Sequence, residues 1–361
     1  GSPVELPWYD QAAAILHGYL GGQAGAGAMA DLLTGKVNPS GKLAETYPLT
    51  LADTPCYKWF PGRERTAEYR ESIFVGYRYY LTAHKPVRFP FGFGLSYTTF
   101  AYSDLEATAE GVSFTLTNTG DRAGAEVAQL YVSRPESQIF RPLRELKGFI
   151  KVSLEPGESR RVTIPLDDKA FRYFNVKTGR WEVEGGAYLL QVGASAEDIR
   201  LSATVEQAGT GAPVPYEREE LACYYDAQVE NVPDGTFAAL LGRPIPAAHW
   251  DSGAPLGEND SLSQMVYAKS GLARFAAKRL EAMQHKSEEK GTPDLNLLFI
   301  RNMPFRGLAK MTNGMVTTAM ADSIRDMANG HFFRGLGGVI GGYFSNQKEI
   351  KRRKERLQSH D

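Results

Sequence analysis

The segment from Tyr69 to Tyr80 contains residue types that could do chemistry, because it places a carboxylate and guanidinium groups among tyrosines. Glu71 could accept hydrogen bonds from a bound polar ligand, directly or through a neighbouring side chain. It could also form a buried ion pair with Arg78 or with another arginine. Buried carboxylates are usually paired, so the ion pair is the favoured interpretation. Core packing is likewise favoured for Arg78 and for its neighbour Tyr77.

A second group of candidates lies in the loop Cys56–Arg65, which contains Trp59, Phe60 and Arg63. The Trp59 ring could border a ligand site through stacking. Clamping of this loop against a neighbouring domain is an equal alternative. The candidate ligand-side residues are Glu71, Arg78, Tyr69 and Trp59.

No pattern in the chain indicates a metal or a cofactor. The six histidines are scattered without ligand spacing, so each is interpreted as a surface or core residue. The glycines of Gly21–Gly25 lie between two helix candidates, which favours close packing over phosphate binding. Cys56 and Cys223 are interpreted as free thiols. The histidines are His17, His84, His249, His285, His331 and His360.

The composition is that of a globular protein with two or three domains, since 361 residues include 42% hydrophobic and 23% charged side chains. The formal net charge is -1, so no nucleic-acid or membrane partner is expected. No apolar run reaches the roughly 18 residues that a membrane helix needs. The low cysteine count favours a cytoplasmic location.

Residues 1–87 have the pattern of the last αβ units of an α/β domain. Helices are predicted over Asp10–Leu20 and Ala24–Leu33, followed by a turn at Asn38–Gly41 and an extended segment at Lys42–Tyr47. An αβ remnant of this size could not close its own core. The earlier strands are therefore expected in a larger protein.

Residues 88–100 mix five aromatic residues with proline and glycine, which suits a tight, buried connector between two domains. In residues 101–206, eight strand candidates separated by turn signals predict an antiparallel β-sandwich. The lack of a Cys…Trp…Cys spacing indicates the fibronectin type III kind. The strand candidates are Val112–Thr117, Glu126–Ser133, Lys147–Leu154, Arg161–Leu166, Ala170–Asn175, Gly179–Val183, Tyr188–Gly193 and Ile199–Val205.

Residues 207–233 are predicted as a linker, because their first part is rich in glycine, alanine and proline. Residues 234–361 have helical periodicity and are predicted as an α-helical extension. The extension could pack on the rest of the protein or form a homo-oligomer interface. The predicted fold class is multidomain α+β: the C-terminal part of an α/β sandwich domain, a fibronectin type III-like antiparallel β-sandwich and a helical extension. Helix candidates are Ser261–His285, Leu295–Met311, Thr312–Asn329 and the glycine-rich His331–Tyr343.

Five motifs, in the right order along the chain, resemble glycoside hydrolase family 3, chiefly β-glucosidases. The resemblance covers residues 1–205, and residues 206–361 are similar to a C-terminal extension found on some bacterial members. One departure is Ser72, where the family motif has glycine after the glutamate. Because serine disfavours a positive φ, a shifted backbone is expected there. The motifs are Gly22–Leu43, Tyr69–Tyr80, Pro90–Phe100, Asn118–Val132 and Glu145–Phe149.

The resemblance implies a retaining mechanism that uses two carboxyl groups about 5–5.5 Å apart. In the family, the nucleophilic aspartate lies on a barrel domain, and the acid/base glutamate lies upstream of the segment matched by Gly22–Gly25. Neither region is present in this sequence, so no catalytic residue is assigned and the chain alone is expected to be inactive. The implied partners are a carbohydrate such as a β-glucoside and the missing barrel and α/β parts.

A different class of function is a non-catalytic module in which the sandwich binds carbohydrate or protein. Such a module would be expected to show a row of exposed aromatic residues on one face. Trp181 is the only tryptophan of the sandwich region, and its tyrosines and phenylalanines mostly occupy alternating, inward-facing positions. This pattern favours a structural role for the sandwich.

Overall fold

The computed structural model describes residues 1–62, 64–312 and 314–358, with side chains described as far as Arg352. Arg63 of the candidate loop and His360 lie outside the described residues. The chain divides into two compact units: Gly1–Pro61 with Ala67–Ile245, and Gly62–Thr66 with the residues from Pro246 onward. Within the described ranges, every helix is too short or too polar to span a lipid bilayer.

The first 90 residues contain few regular elements. The predicted second helix is present as α1, and a short two-stranded sheet joins β1 to β2 in antiparallel pairing. Helix α2 follows the segment that contains Glu71. The bounds are α1 Gly25–Leu33, β1 Tyr47–Pro48, α2 Tyr77–Thr82 and β2 Val87–Phe89, with 3₁₀ turns at Tyr9–Gln11 and Leu51–Asp53.

The helix predicted over Asp10–Leu20 is wrong. Only the 3₁₀ turn at Tyr9–Gln11 forms, and residues 12–20 are irregular with mostly exposed side chains. The side chain of Leu20 is 87% exposed. A short helix is stable in a protein mainly when its apolar face is packed, and nothing in the described chain covers this one.

The predicted antiparallel sandwich is confirmed, and all eight strand candidates are present. One sheet has the strand order β11-β10-β5-β6 and the other has the order β3-β4-β7, while β8 and β9 form a separate hairpin. Phe114, Leu130 and Leu190 are fully buried between the sheets. The strands are β3 Phe100–Thr108, β4 Gly111–Asn118, β5 Gly124–Ser133, β6 Glu145–Leu154, β7 Ser159–Pro165, β8 Arg172–Asn175, β9 Arg180–Val183, β10 Gly186–Gly193 and β11 Ile199–Gln207.

Strand β3 is absent from the sequence prediction. Its pairing with β4 shifts register between Ser103 and Glu106, and Asp104 within the shift has a φ of 55°. Such a bulge adds a residue to one strand and interrupts the alternation of apolar and polar positions. The pattern that identifies a strand in sequence is therefore broken in its middle.

The segment after β11 is packed into the first unit and does not remain a free linker as far as residue 233. Helices α3 (Ala222–Tyr225) and α4 (Asp234–Leu241) follow β11. Leu221 and Tyr224 are buried in one cluster with Phe74, which precedes them by about 150 positions. The composition of Gln207–Pro215 predicts a linker, but the apolar residues beyond it complete a core.

The second unit is helical, and the structure divides two of the predicted helices. The candidate Ser261–His285 is divided into a 3₁₀ helix and a separate α-helix. The α-helix begins after Ser270, whose hydroxyl accepts a hydrogen bond from the Ala273 amide. Pro304 interrupts the candidate Leu295–Met311, because proline cannot donate the helical hydrogen bond. The elements are the 3₁₀ helix Leu262–Tyr267, α5 Gly271–Glu289, α6 Leu295–Asn302, α7 Gly307–Met311, α8 Thr318–Ala328 and α9 Phe332–Gln358.

Apart from His331, the glycine-rich candidate His331–Tyr343 is helical and lies within α9. A Cβ added at Gly335 would lie 2.4 Å from Met327 Cγ, and one added at Gly338 would lie 2.2 Å from Ser323 Oγ. These glycines therefore face α8 and allow the two backbones to approach closely. The packing compensates for the low helix propensity of glycine.

Candidate functional site

Glu71 lies in a turn before α2 and is buried. Its residue is 5% exposed, and its Oε2 atom has no hydrogen-bond partner among the described residues. The Phe74 amide donates to its backbone carbonyl at 3.0 Å, which holds the turn. Because burial disfavours the charged form, the pKa of the Glu71 carboxyl is raised.

Arg78 does not pair with Glu71, so the favoured ion-pair interpretation is wrong. Its Nε lies 3.7 Å from Glu145 Oε1, and the side chain is partly exposed. No ion pair to Glu71 occurs within the described part of the chain. Since α2 begins at Tyr77, the start of this helix directs Arg78 toward β6 and away from the turn.

Arg70 is the charged residue that organises this region, and it is not among the candidate residues predicted from the sequence. Its guanidinium lies 2.6 Å from Glu68 Oε2 and 2.7 Å from Asp234 Oδ1. It also donates to the Val232 carbonyl at 2.8 Å, although the residue is only 3% exposed. The Trp59 ring covers the guanidinium at 3.9 Å. This arrangement satisfies a buried cation by charge, hydrogen bonding and cation–π contact.

The structure separates the four candidate residues by environment. Trp59 lies against Arg70, Glu71 is buried beside Cys56, and Tyr69 is 72% exposed. Burial and the nearby Glu71 charge both raise the pKa of the Cys56 thiol. The described residues around this cluster therefore form a packed joint, and its one exposed candidate is Tyr69.

Two further carboxylates of the cluster, Glu230 and Asp234, follow the sandwich in the sequence. Tyr79 donates to Glu230 Oε1 at 2.8 Å, and Lys85 lies 2.6 Å from the same oxygen. The only sequence signal for this network is the arginine beside Glu71 in an aromatic segment. Its partners follow about 150 positions later, and no local pattern connects them.

The junction 88–100 contacts Tyr77 and the sandwich, although Leu95 and Tyr97 within it are exposed. Tyr77 and Phe91 stack with ring centroids 4.7 Å apart, and the Tyr77 hydroxyl accepts from the Leu146 amide at 2.8 Å. Gln129 donates through Nε2 to the Gly92 carbonyl at 3.1 Å. These contacts tie the junction to strands of the sandwich. Tyr77 therefore has the core-packing role that was favoured for it.

Among the described residues, no group of three or more histidine, cysteine, aspartate or glutamate side chains is placed to hold a metal ion.

Ser72 adopts the left-handed conformation that was expected to be avoided, with a φ of 55°. We expect Ser72→Gly to raise the free energy of unfolding by about 0.5–1 kcal/mol, because glycine has no Cβ to strain at positive φ. Chemical denaturation would measure this change. Ser153→Gly, in the interior of β6, is the control and should be destabilising; a loss of stability at both sites would contradict the explanation.

Glu71 should make stability depend on pH, because its folded-state pKa lies above its unfolded value. Its contribution is fully present below the unfolded pKa and is lost as pH rises through the folded pKa. Glu71→Gln resembles the protonated form, so its stability relative to wild type should rise between pH 4 and pH 8. Chemical denaturation at several pH values would test this. The exposed Glu136→Gln is the control, and equal profiles for both variants would refute the prediction.

The fold defines a class: part of an α/β domain joined by an aromatic connector to a fibronectin-like sandwich. Residues 1–97 match the glycosyl hydrolase family 3 C-terminal domain, and residues 126–196 match the fibronectin type III-like domain. The chain carries the C-terminal portion of a glycoside hydrolase family 3 protein, which confirms the resemblance.

Three relatives illustrate the match. "Thermostable beta-glucosidase B" of Acetivibrio thermocellus is 39% identical over 338 residues, covering 91% of this chain and 40% of the relative. The "Exo-alpha-(1->6)-L-arabinopyranosidase" of Bifidobacterium breve is 45% identical over 60% of this chain and 29% of its own length. The crystal structure of a β-glucosidase from Kluyveromyces marxianus in complex with glucose matches 57% of this chain and 26% of that chain, with 45% identity and a TM-score of 0.55. The chain thus spans at most two fifths of the length of these proteins.

Proposed function

We propose that this chain is the C-terminal part of a β-glucosidase-like enzyme that hydrolyses terminal β-linked sugars by a retaining mechanism. Its catalytic carboxylates are supplied by a barrel and the remainder of the α/β domain, upstream of this sequence. The cluster around Arg70 and Glu71 holds the α/β segment to the segment after β11, and the junction 88–100 ties it to the sandwich. In this proposal the chain serves as the scaffold that completes the enzyme.

The observation that supports this proposal is the exposed apolar surface of the first 51 residues. Helix α1 contains no buried residue, although it consists almost wholly of apolar and small side chains. Large exposed apolar patches on a soluble protein usually mark a surface that another body covers. The exposed apolar residues are Val4, Trp8, Ile15, Leu16, Tyr19, Leu20, Leu33, Val37, Leu49 and Leu51.

Complementation tests the proposal. The chain is co-expressed with the preceding portion of the Acetivibrio thermocellus relative, and hydrolysis of an aryl β-glucoside is measured. We expect activity only when both pieces are present, and at least a ten-fold loss with Leu20→Asp and Leu33→Asp together. Phe149→Asp, at an exposed position of β6, is the control and should retain activity. Hydrolysis by this chain alone, or a stable but inactive complex of the pieces, would overturn the proposal.

We further propose that α9 associates with a second copy of the chain. Phe333, Leu336, Ile340 and Phe344 are exposed and follow one another at helical spacing. Apolar residues at such intervals form a stripe that is typical of paired helices. Light scattering should give twice the chain mass, falling to one chain mass for Phe333→Ser with Phe344→Ser. Ending the chain after Ile245 should also give a monomer. A dimer that persists in both cases would exclude α9 as the interface.

A further inference from the structure

The β8–β9 hairpin presents two aromatic rings outward, side by side. Phe174 and Trp181 are directly paired across the hairpin, with ring centroids 5.6 Å apart. Phe174 is 50% exposed and Trp181 is 63% exposed. The two rings together form a contiguous apolar patch, a type of surface that often serves an interaction.

The two faces of this hairpin have different environments. Asn175 is fully buried, and its side chain donates to the Pro213 carbonyl at 2.8 Å. Side chains alternate between faces along a strand, so Phe174 and Arg172 share the opposite face. The Asn175 face is held by the segment after β11. On the other face, Val183 opposite Arg172 packs against the sandwich core, whereas Phe174 and Trp181 are exposed.

Arg172 lies two positions before Phe174 in β8, on the same face of the strand. Arg172 is paired through its guanidinium with the carboxylate of Asp168, which is largely exposed. An aromatic ring beside an arginine–carboxylate pair offers a stacking surface together with hydrogen-bond donors and acceptors. A pyranose has the complementary chemistry, since its face bears C–H groups and its rim bears hydroxyls. A purely apolar protein contact would have no use for the polar border.

We propose that the outer face of the β8–β9 hairpin, formed by Phe174, Trp181, Arg172 and Asp168, binds a pyranose unit of a β-linked glucose oligosaccharide. The choice of a β-linked sugar as the ligand rests on the proposed function. A single stacked ring gives weak binding, with a dissociation constant on the order of 1 mM. The surface would hold a carbohydrate chain near the enzyme and would take no part in bond cleavage.

Fluorine NMR of the full chain labelled with 5-fluorotryptophan tests this inference, because the chain has four tryptophans and hence four resonances. Titration with a β-1,4-linked glucose hexasaccharide should shift the Trp181 resonance in a saturable manner. Trp181→Ala should weaken binding, measured by calorimetry, at least ten-fold, and Trp181→Phe should restore part of it. Phe149→Ala, which removes another exposed ring of the sandwich, is the control and should bind as the wild type does.

A Trp181 resonance that stays unchanged up to 20 mM oligosaccharide would overturn the inference, as would equal binding by Trp181→Ala. So would a finding that Trp181→Ala weakens assembly with the upstream portion and leaves oligosaccharide binding intact, since the face would then be a protein contact. Hydrolysis by the complemented enzyme without a Trp181 response overturns this inference alone. A Trp181 response without hydrolysis overturns the proposed function alone.

Discussion

Replacing Arg70 by methionine should destabilise the first unit by about 3–5 kcal/mol, the usual cost of breaking a buried ion pair from one side. Methionine keeps much of the volume but leaves Glu68 and the Val232 carbonyl without the donor that they share. Stability should be measured by chemical denaturation followed by tryptophan fluorescence, since Trp59 lies on the guanidinium.

Arg78→Met is the matched control for Arg70→Met. It removes an arginine eight positions later whose Glu145 contact is long and partly exposed, so it should cost no more than about 1 kcal/mol. Arg70→Lys should fall between the two, because lysine keeps the charge but loses the planar fork. Equal losses for Arg70→Met and Arg78→Met would show that Arg70 does not hold the cluster together.

Gly92→Ala should destabilise the junction by about 2–4 kcal/mol, combining overpacking with backbone strain. A Cβ at this position would lie 2.1 Å from Gln129 Oε1, and the φ of Gly92 is 79°. Gln129 cannot move aside cheaply, because its amide also donates to the Ala194 carbonyl at 2.8 Å and accepts from the Tyr131 hydroxyl at 2.5 Å. The thermal transition of the full chain would report the loss.

Gly157→Ala separates the two causes of the destabilisation expected for Gly92→Ala, which are overpacking and backbone strain. Gly157 has a similar φ of 75°, but nothing lies within 4 Å of its added Cβ. Its substitution should therefore cost only the strain, about 1 kcal/mol. If both alanine variants lose the same stability, backbone strain alone accounts for the loss. The contact of the added Cβ with Gln129 would then make no contribution.

The sandwich was the part of the fold most open to prediction, because strands such as β4 bury every second residue and are separated by turn residues. The prediction failed where the decisive interaction was non-local. Strand β3 is interrupted at Asp104, and the helix over Asp10–Leu20 lacks a packing partner in the described chain. In the candidate site, the motif Tyr69–Tyr80 predicted Glu71 as the candidate carboxylate, whereas the charge network centres on Arg70. Its partner Asp234 lies in a segment for which composition gave no indication of contact.

The exposed aromatic pair of the β8–β9 hairpin also could not be predicted from local sequence. In the sequence, Trp181 is the only tryptophan of the sandwich region, and this pattern argues against a binding face. The cross-strand pairing that sets Phe174 beside it depends on the register of β8 and β9, and residue type alone does not fix that register.

The late return of the chain to the Phe74 cluster has a consequence for biosynthesis. Arg70 and Val232, which it contacts, are separated by 162 positions. At the usual rates of roughly 5–20 residues per second, a ribosome needs about 8–32 seconds to synthesise that interval. The sandwich contains its own core and emerges in between, so we expect it to close first. Phe140 can reach Phe74 early in that interval, but Leu221, Tyr224 and Phe237 are missing from the cluster until its end, so we expect this core to be completed last.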